Sequence, residues 1–206
     1  VADTVQELLD RVRGETPDGA VGAAAAATAN IDFGVAIASI GAGANLVASD
    51  AVHVTATSDR HLDSQADANS VDSELGLGIA AALNVGQQQT SASIGGTVTA
   101  PSITVQSLLG GDGVNEFVAE AFSGAGDEAT VGVAGAFAVN LRERIPVEPL
   151  DTLTGGQHEA VIQTGADLTL TGGGDLEVRA DYKGNHTATA TPEPAASATY
   201  GVGASV

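Results

Sequence analysis

The chain has 206 residues, enough for one ordinary domain or a run of repeats. Apolar residues make up 43% but aromatics only 3%, with no Trp or Met, so a core must be thin and built from small side chains, not from widely spaced packed helices. A balance of 26 acidic to 7 basic residues gives a net charge of −19, which disfavours nucleic acid and anionic lipid as partners, and the lack of Cys rules out disulfides and thiolate sites.

Taken in chain order, residues 3–13 (DTVQELLDRVR) come first. Val5, Leu8, Leu9 and Val12 are spaced as a helical stripe, and Thr4 with Glu7 makes a capping box. The expectation is a short amphipathic helix, with residues 1–20 forming this helix and a linker. Three related blocks follow: residues 21–30 (VGAAAAATAN), 75–84 (LGLGIAAALN) and 131–140 (VGVAGAFAVN). Each opens aliphatic-Gly and closes on Asn, and YGVGASV starts a fourth at Tyr200. Alanine favours helix, but the second and third blocks alternate with period two. Leu75, Leu77, Ile79, Ala81 and Leu83 share one side, as do Val131, Val133, Gly135, Phe137 and Val139. That is the pattern of strands with one buried face, here the aliphatic one, the small intervening residues leaving the other partly covered as well.

Further blocks recur in the same order. ASI at Ala38 and at Ala92 is matched by AVI at Ala160. AVHVTA from Ala51, SITVQS from Ser102 and DLEVRA from Asp175 come next, then SQADAN from Ser64, FVAEAF from Phe117 and HTATAT from His186. Turn-forming clusters such as GAGAN, GGDGVN, SGAGDE and TGGGD separate them. Four strands per repeat predict an all-β chain, a repetitive β-solenoid (parallel β-helix), with repeats at 21–74, 75–130 and 131–199 and the start of a fourth at 200. An ordinary β-sandwich or barrel is the competing architecture. The third repeat carries an insertion at 141–159 with Pro146 and Pro149, which forbid a regular central strand. This loop is the expected interaction site, with Arg142, Arg144, Pro146, Pro149 and His158 as its distinctive residues.

Blocks of the form GVGxAxAxN, then ASIG, then ITVxA, at a period of fifty-odd residues, resemble the very large bacterial surface exoproteins: filamentous adhesins of haemagglutinin- or leukotoxin-like type. The matching stretches are LGLGIAAALN, ASIGGTVTAPSITVQS and VGVAGAFAVN. The resemblance covers the chain outside residues 3–13 and 141–159. It implies parallel β-helix shafts, secretion to the bacterial cell surface in association with the outer membrane, and adhesion to a host-cell, surface or matrix ligand. It carries no catalytic motif. The chain starts without an initiator Met or a signal pattern and ends in the middle of its own pattern, which reads as a segment of a longer protein whose further repeats are its neighbours.

No run of 18 or more apolar residues suggests a membrane span. The glycine–aspartate stretches lack the nine-residue period of a calcium roll, which leaves Asp112, Asp127 and Glu128 as weak candidates for isolated calcium in a salt-adapted surface-layer module. No other cofactor is implied. Asp59, Arg60, His61 and Asp63, or Asp181 and Lys183, are the groups a carbohydrate-active β-helix enzyme would use. Neither group recurs with a demanding spacing, so the expectation is a structural and adhesive chain with no catalytic residues.

Overall fold

The computed structural model describes residues 7–16, 19–70, 73–127, 129–141, 157–193 and 200–205. Among these every regular element is a strand. After β1 (Glu7–Thr16) the first repeat supplies β2 (Gly19–Ile40), β3 (Asn45–Val47), β4 (Val52–Ser58) and β5 (His61–Ser70). The second supplies β6 (Ser73–Ile94), β7 (Thr97–Ala100), β8 (Ile103–Leu109) and β9 (Asn115–Gly124). The third supplies β10 (Val131–Leu141), β11 (Gln157–Ile162), β12 (Asp167–Leu170), β13 (Leu176–Ala180) and β14 (Gly184–Glu193), and β15 (Tyr200–Ser205) follows.

Each strand pairs with its counterpart one repeat away, always in parallel. Four parallel stacks result. A long sheet holds β2, β6, β10, β11 and β15; a facing sheet holds β1, β5, β9 and β14; two narrow sheets hold β3, β7, β12 and β4, β8, β13. Val21, Leu75, Val131 and Tyr200 stand in one row, as do Asn30, Asn84 and Asn140. Ala38, Ala92 and Ala160 form another row, and Val52, Ile103 and Leu176 a further one. One sequence match slips. Leu62, not Ser64, lies beside Phe117, so SQADAN is two residues out of step with FVAEAF. A slip of two keeps every side chain on its own face, which is why the alternation alone does not expose it.

The N-terminal helix is a correction: Glu7–Thr16 is a strand, paired along its whole length with β5 from His61 to Ser70. Residues 1–6 lie outside the described residues. The edge of β5 presents a row of unpaired backbone groups, and ten residues of β1 fill it. Helix propensities differ by less than about 0.7 kcal/mol per ordinary residue, so tertiary pairing decides.

The buried face is a second correction. In the long sheet the small set faces inward and the large set outward. Gly76, Gly78, Ala80, Ala82 and Asn84 are buried, whereas Leu75 and Ile79 are exposed and Leu77 and Leu83 half-buried. The facing sheet presents Ala66, Ala68, Ala119 and Ala121, and these close with Ala24, Ala26, Ala80, Ala82, Ala136 and Ala138 into a core made wholly of alanine. The two backbones come so close that a Cβ on Gly76 would stand 1.6 Å from the Ala125 carbonyl oxygen, and one on Gly78 2.3 Å from that of Gly124. Leucine and isoleucine have no room there. At the narrow sheets the interior widens, and Val52, Val54, Ile94, Val98, Ile103 and Val105 fill it.

Between these two cores the interior is polar. The Asn84 amide nitrogen donates to the Val118 carbonyl and to Asn140 Oδ1 at 3.0 Å, and the Asn140 amide nitrogen donates to the Phe117 carbonyl at 3.0 Å. The Asn30 amide reaches the Asp63 carbonyl at 2.6 Å. The amide nitrogen of the asparagine closing each block therefore ties the long sheet to backbone carbonyls of the facing sheet, repeat after repeat.

Candidate functional site

The inward set is fixed by sheet spacing, so the outward set of the long sheet is left as a surface. Its apolar part runs over alternate residues of β2 from Val21 to Ile37, of β6 from Leu75 to Val85 and of β10 from Val131 to Leu141, with no charged residue among them. Ile31, Phe33, Val35 and Ile37 are all more than half exposed, and Ile79 and Phe137 are 51% and 43% exposed. A contiguous exposed apolar patch of this extent is the largest candidate surface among the described residues, beside smaller exposed groups such as Val47, Leu176 and Val178. Opposite it, the outer face of the facing sheet carries Asp63, Asp67, Glu116 and Glu120 on positions alternating with the buried ones. The two broad faces are thus chemically opposite.

The predicted interaction residues fare differently. Arg142, Arg144, Pro146 and Pro149 lie outside the described residues. His158 is not in a loop: it belongs to β11, beside Thr90 of β6, and its ring packs against Tyr182 at 4.9 Å. The insertion therefore narrows to 142–156, because Leu141 pairs with Val85 and Gln157 with Gln89. Nearby, His186 stacks on Phe117 at 4.8 Å with the rings 8° from parallel. A Cβ on Gly184 would meet both the Tyr182 hydroxyl and His186 Nε2, so these groups share the space that this glycine leaves. His158, Tyr182 and His186 thus gather in the third repeat through positions 24 and 28 residues apart in the chain, a grouping that no local spacing announces.

Of the calcium candidates, Asp112 sits in the turn between β8 and β9, where its Oδ1 accepts the Val114 N–H at 3.0 Å. The flanking Gly111 and Gly113 take φ of 53° and 76°, the left-handed region that favours glycine. Asp127 lies in the turn after β9, and Glu128 lies outside the described residues. Among the described residues no group of three or more His, Asp or Glu side chains is placed to hold a metal ion. The carboxylate–cation groups also disperse. Arg60 turns inward to Asp32 at 3.2 Å, both nearly buried, while His61 turns outward to Glu116 at 3.1 Å. Asp181 pairs with Arg179, raising the guanidinium pKa above its ordinary value through that hydrogen bond and charge. A depression of about 130 Å³ lined by Phe33, Gly34, Val35, Gln87, Gln88 and Gln89 lies at the end of the apolar face, well below the roughly 300 Å³ of ordinary ligand pockets.

The signal for the apolar face was present in the sequence. The even positions of the three blocks (Gly22, Gly76 and Gly132, then Ala24, Gly78 and Ala134) are small in every copy, while the odd positions vary in size. Size constraint marks the inside, and hydrophobicity does not. No protein-family model, curated protein or solved structure matches the chain.

Proposed function

We propose that the chain is a structural and adhesive segment of a long secreted bacterial surface protein, with its repeats forming successive coils of a rigid β-solenoid shaft. What supports this reading above all is the register: over three repeats each strand stands in parallel beside its own counterpart, so the interior rows continue from repeat to repeat. A shaft built in this way is stiff along its axis. Backbone hydrogen bonds run from coil to coil, and the alanine core leaves no slack between the broad sheets. Its acidic broad face keeps it soluble and repels neighbours, and its apolar broad face supplies the adhesive contact. The likeness to filamentous adhesins gives the cell-surface setting, and the partner there is a host or matrix ligand.

The experiment is to insert one, two and three further copies of residues 75–130 after position 130. A solenoid accepts each copy as an added coil, and small-angle scattering should show the particle lengthening by about 4.8 Å per copy, one strand spacing. Strand-rich circular dichroism should be retained throughout. Inserted copies that leave the length unchanged, or that abolish folding, would sink the shaft reading, because a closed sandwich has no place for another repeat.

A further inference from the structure

Between the alanine core and the aliphatic core the interior widens, and the residues that fill the step are polar. In the second repeat Gln88 and Thr90 come from one face of β6, Ser107 from β8 and Asn115 from the start of β9. The first repeat contributes Ser58, at the end of β4, and Arg60, which stands beside Asn115, one residue before the paired His61 and Glu116. Gly34, beside Gln88, leaves the room that the Arg60 guanidinium takes. Thr90, Ser107 and Asn115 are fully buried, and Ser58 and Gln88 are only 7% and 8% exposed.

Part of this polarity is met within the chain. Asn115 Nδ2 donates to Gln88 Oε1 at 2.7 Å, Ser107 Oγ donates to the Thr90 carbonyl at 3.0 Å, and Arg60 pairs with Asp32. The rest is not. Ser58 Oγ, Arg60 Nε, Gln88 Nε2, Thr90 Oγ1 and Asn115 Oδ1 are shielded from solvent and have no hydrogen-bond partner among the described residues. Buried polar groups in native proteins are hydrogen-bonded, and a handful left dry would match the whole stability margin of a domain. We infer that this layer is a binding site for ordered water, which bridges Gln88, Thr90 and Asn115 of the second repeat and continues to Ser58 and Arg60 of the first.

The donor set selects water over an ion. Gln88 Nε2 and Arg60 Nε only donate, Asn115 Oδ1 only accepts, and the two hydroxyls do either. Exchanging O and N in both amides keeps their mutual bond and still leaves one donor and one acceptor. A cation would face N–H groups beside a guanidinium. An anion would face the Asn115 oxygen in a chain of net charge −19. Water donates and accepts, and a buried water makes about three hydrogen bonds, one each for Gln88, Thr90 and Asn115. Water on Arg60 Nε and Ser58 Oγ adds the hydrogen bonds that a buried pair such as Arg60–Asp32 needs beyond its own contact.

Water-selective NMR on the isotope-labelled chain tests this and needs no variant. The side-chain amides of Gln88 and Asn115 should show cross-peaks to water of opposite sign in the laboratory and rotating frames, which separates water held longer than the molecule tumbles from simple proton exchange. Thr90→Val keeps the shape of the side chain and removes one partner of that water. It should weaken or abolish those cross-peaks and lower the melting temperature by about 2–4 °C. Thr90→Ser, which keeps the hydroxyl, should retain them. Absence of the cross-peaks in the parent chain would overturn the inference. So would a higher melting temperature for Thr90→Val, because in a dry layer the valine removes an unpaired hydroxyl. Broadening of the chloride resonance by the parent chain, lost in Thr90→Val, would assign the layer to an anion instead.

Discussion

At the scale of the residue, parallel in-register stacking is hazardous for an acidic chain, because like residues of successive repeats become neighbours. The sequence resolves this position by position. Among the described rows no carboxylate stands beside another. Glu116 lies beside His61 and ion-pairs with it; Glu120 lies beside Gln65 and accepts its amide hydrogen bond at 3.1 Å; Glu177 accepts one from Gln106 at 3.1 Å. Asp63 and Asp67 have Val118 and Phe122 as neighbours on the next repeat. Glycine shows the same local economy on the inside, and two positions separate its roles. Gly76→Ala should cost about 1–3 kcal/mol, the range for overpacking, because the new Cβ meets the rigid Ala125 carbonyl. Gly135→Ala, facing outward with nothing within 4 Å, should leave the melting temperature unchanged or slightly raised. Equal melting temperatures for the two variants would contradict the close approach of the sheets.

At the scale of the element, the third repeat shows how much interruption the long strand tolerates. Between Leu141 and Gln157 the third repeat has fifteen residues where the second has three, Gly86, Gln87 and Gln88, and the pairing resumes in register on the far side. Removing residues 142–153 leaves Thr154, Gly155 and Gly156 to bridge Leu141 to Gln157 with the same count. Loop-closure entropy changes by well under about 2 kcal/mol for such a difference in length, so strand content by circular dichroism should be retained and the melting temperature should move by only a few degrees. Loss of the strand signal would show that the insertion holds the third repeat together. The extra dozen residues were legible from the repeat spacing alone, but the ends expected at 141 and 159 were not, since Leu141 and residues 157–159 pair with β6. β1 was not legible. ELLDRVRGET fits both a helical stripe and a strand, and only the free edge of β5 selects between them.

At the scale of the whole molecule, net charge and architecture pull against each other. The row arrangement removes nearest-neighbour repulsion, but 26 acids against 7 bases still repel across faces. Raising salt from about 0.01 M to about 0.15 M shortens the screening length from about 30 Å to about 8 Å, and the melting temperature should rise by about 5 °C. A fall on adding salt would mean that ion pairs such as Arg60–Asp32 dominate stability over the net charge. The two broad faces divide this chemistry, since one carries acids such as Asp63, Asp67, Glu116 and Glu120 and the other the apolar surface.

The sequence by itself determined the strands, their repetition, the turns at glycine and the place of the insertion, because each is written in local spacing. Period two marks a strand wherever it occurs, and a repeat is visible without knowing what it packs against. The tertiary structure decided that size and not hydrophobicity assigns the inside, which register the facing sheet adopts and that β1 is a strand. These depend on the gap between two backbones and on an edge supplied by distant residues. Where that gap closes until Gly76 touches the Ala125 carbonyl, size outranks hydrophobicity, and the leucines go to the outside.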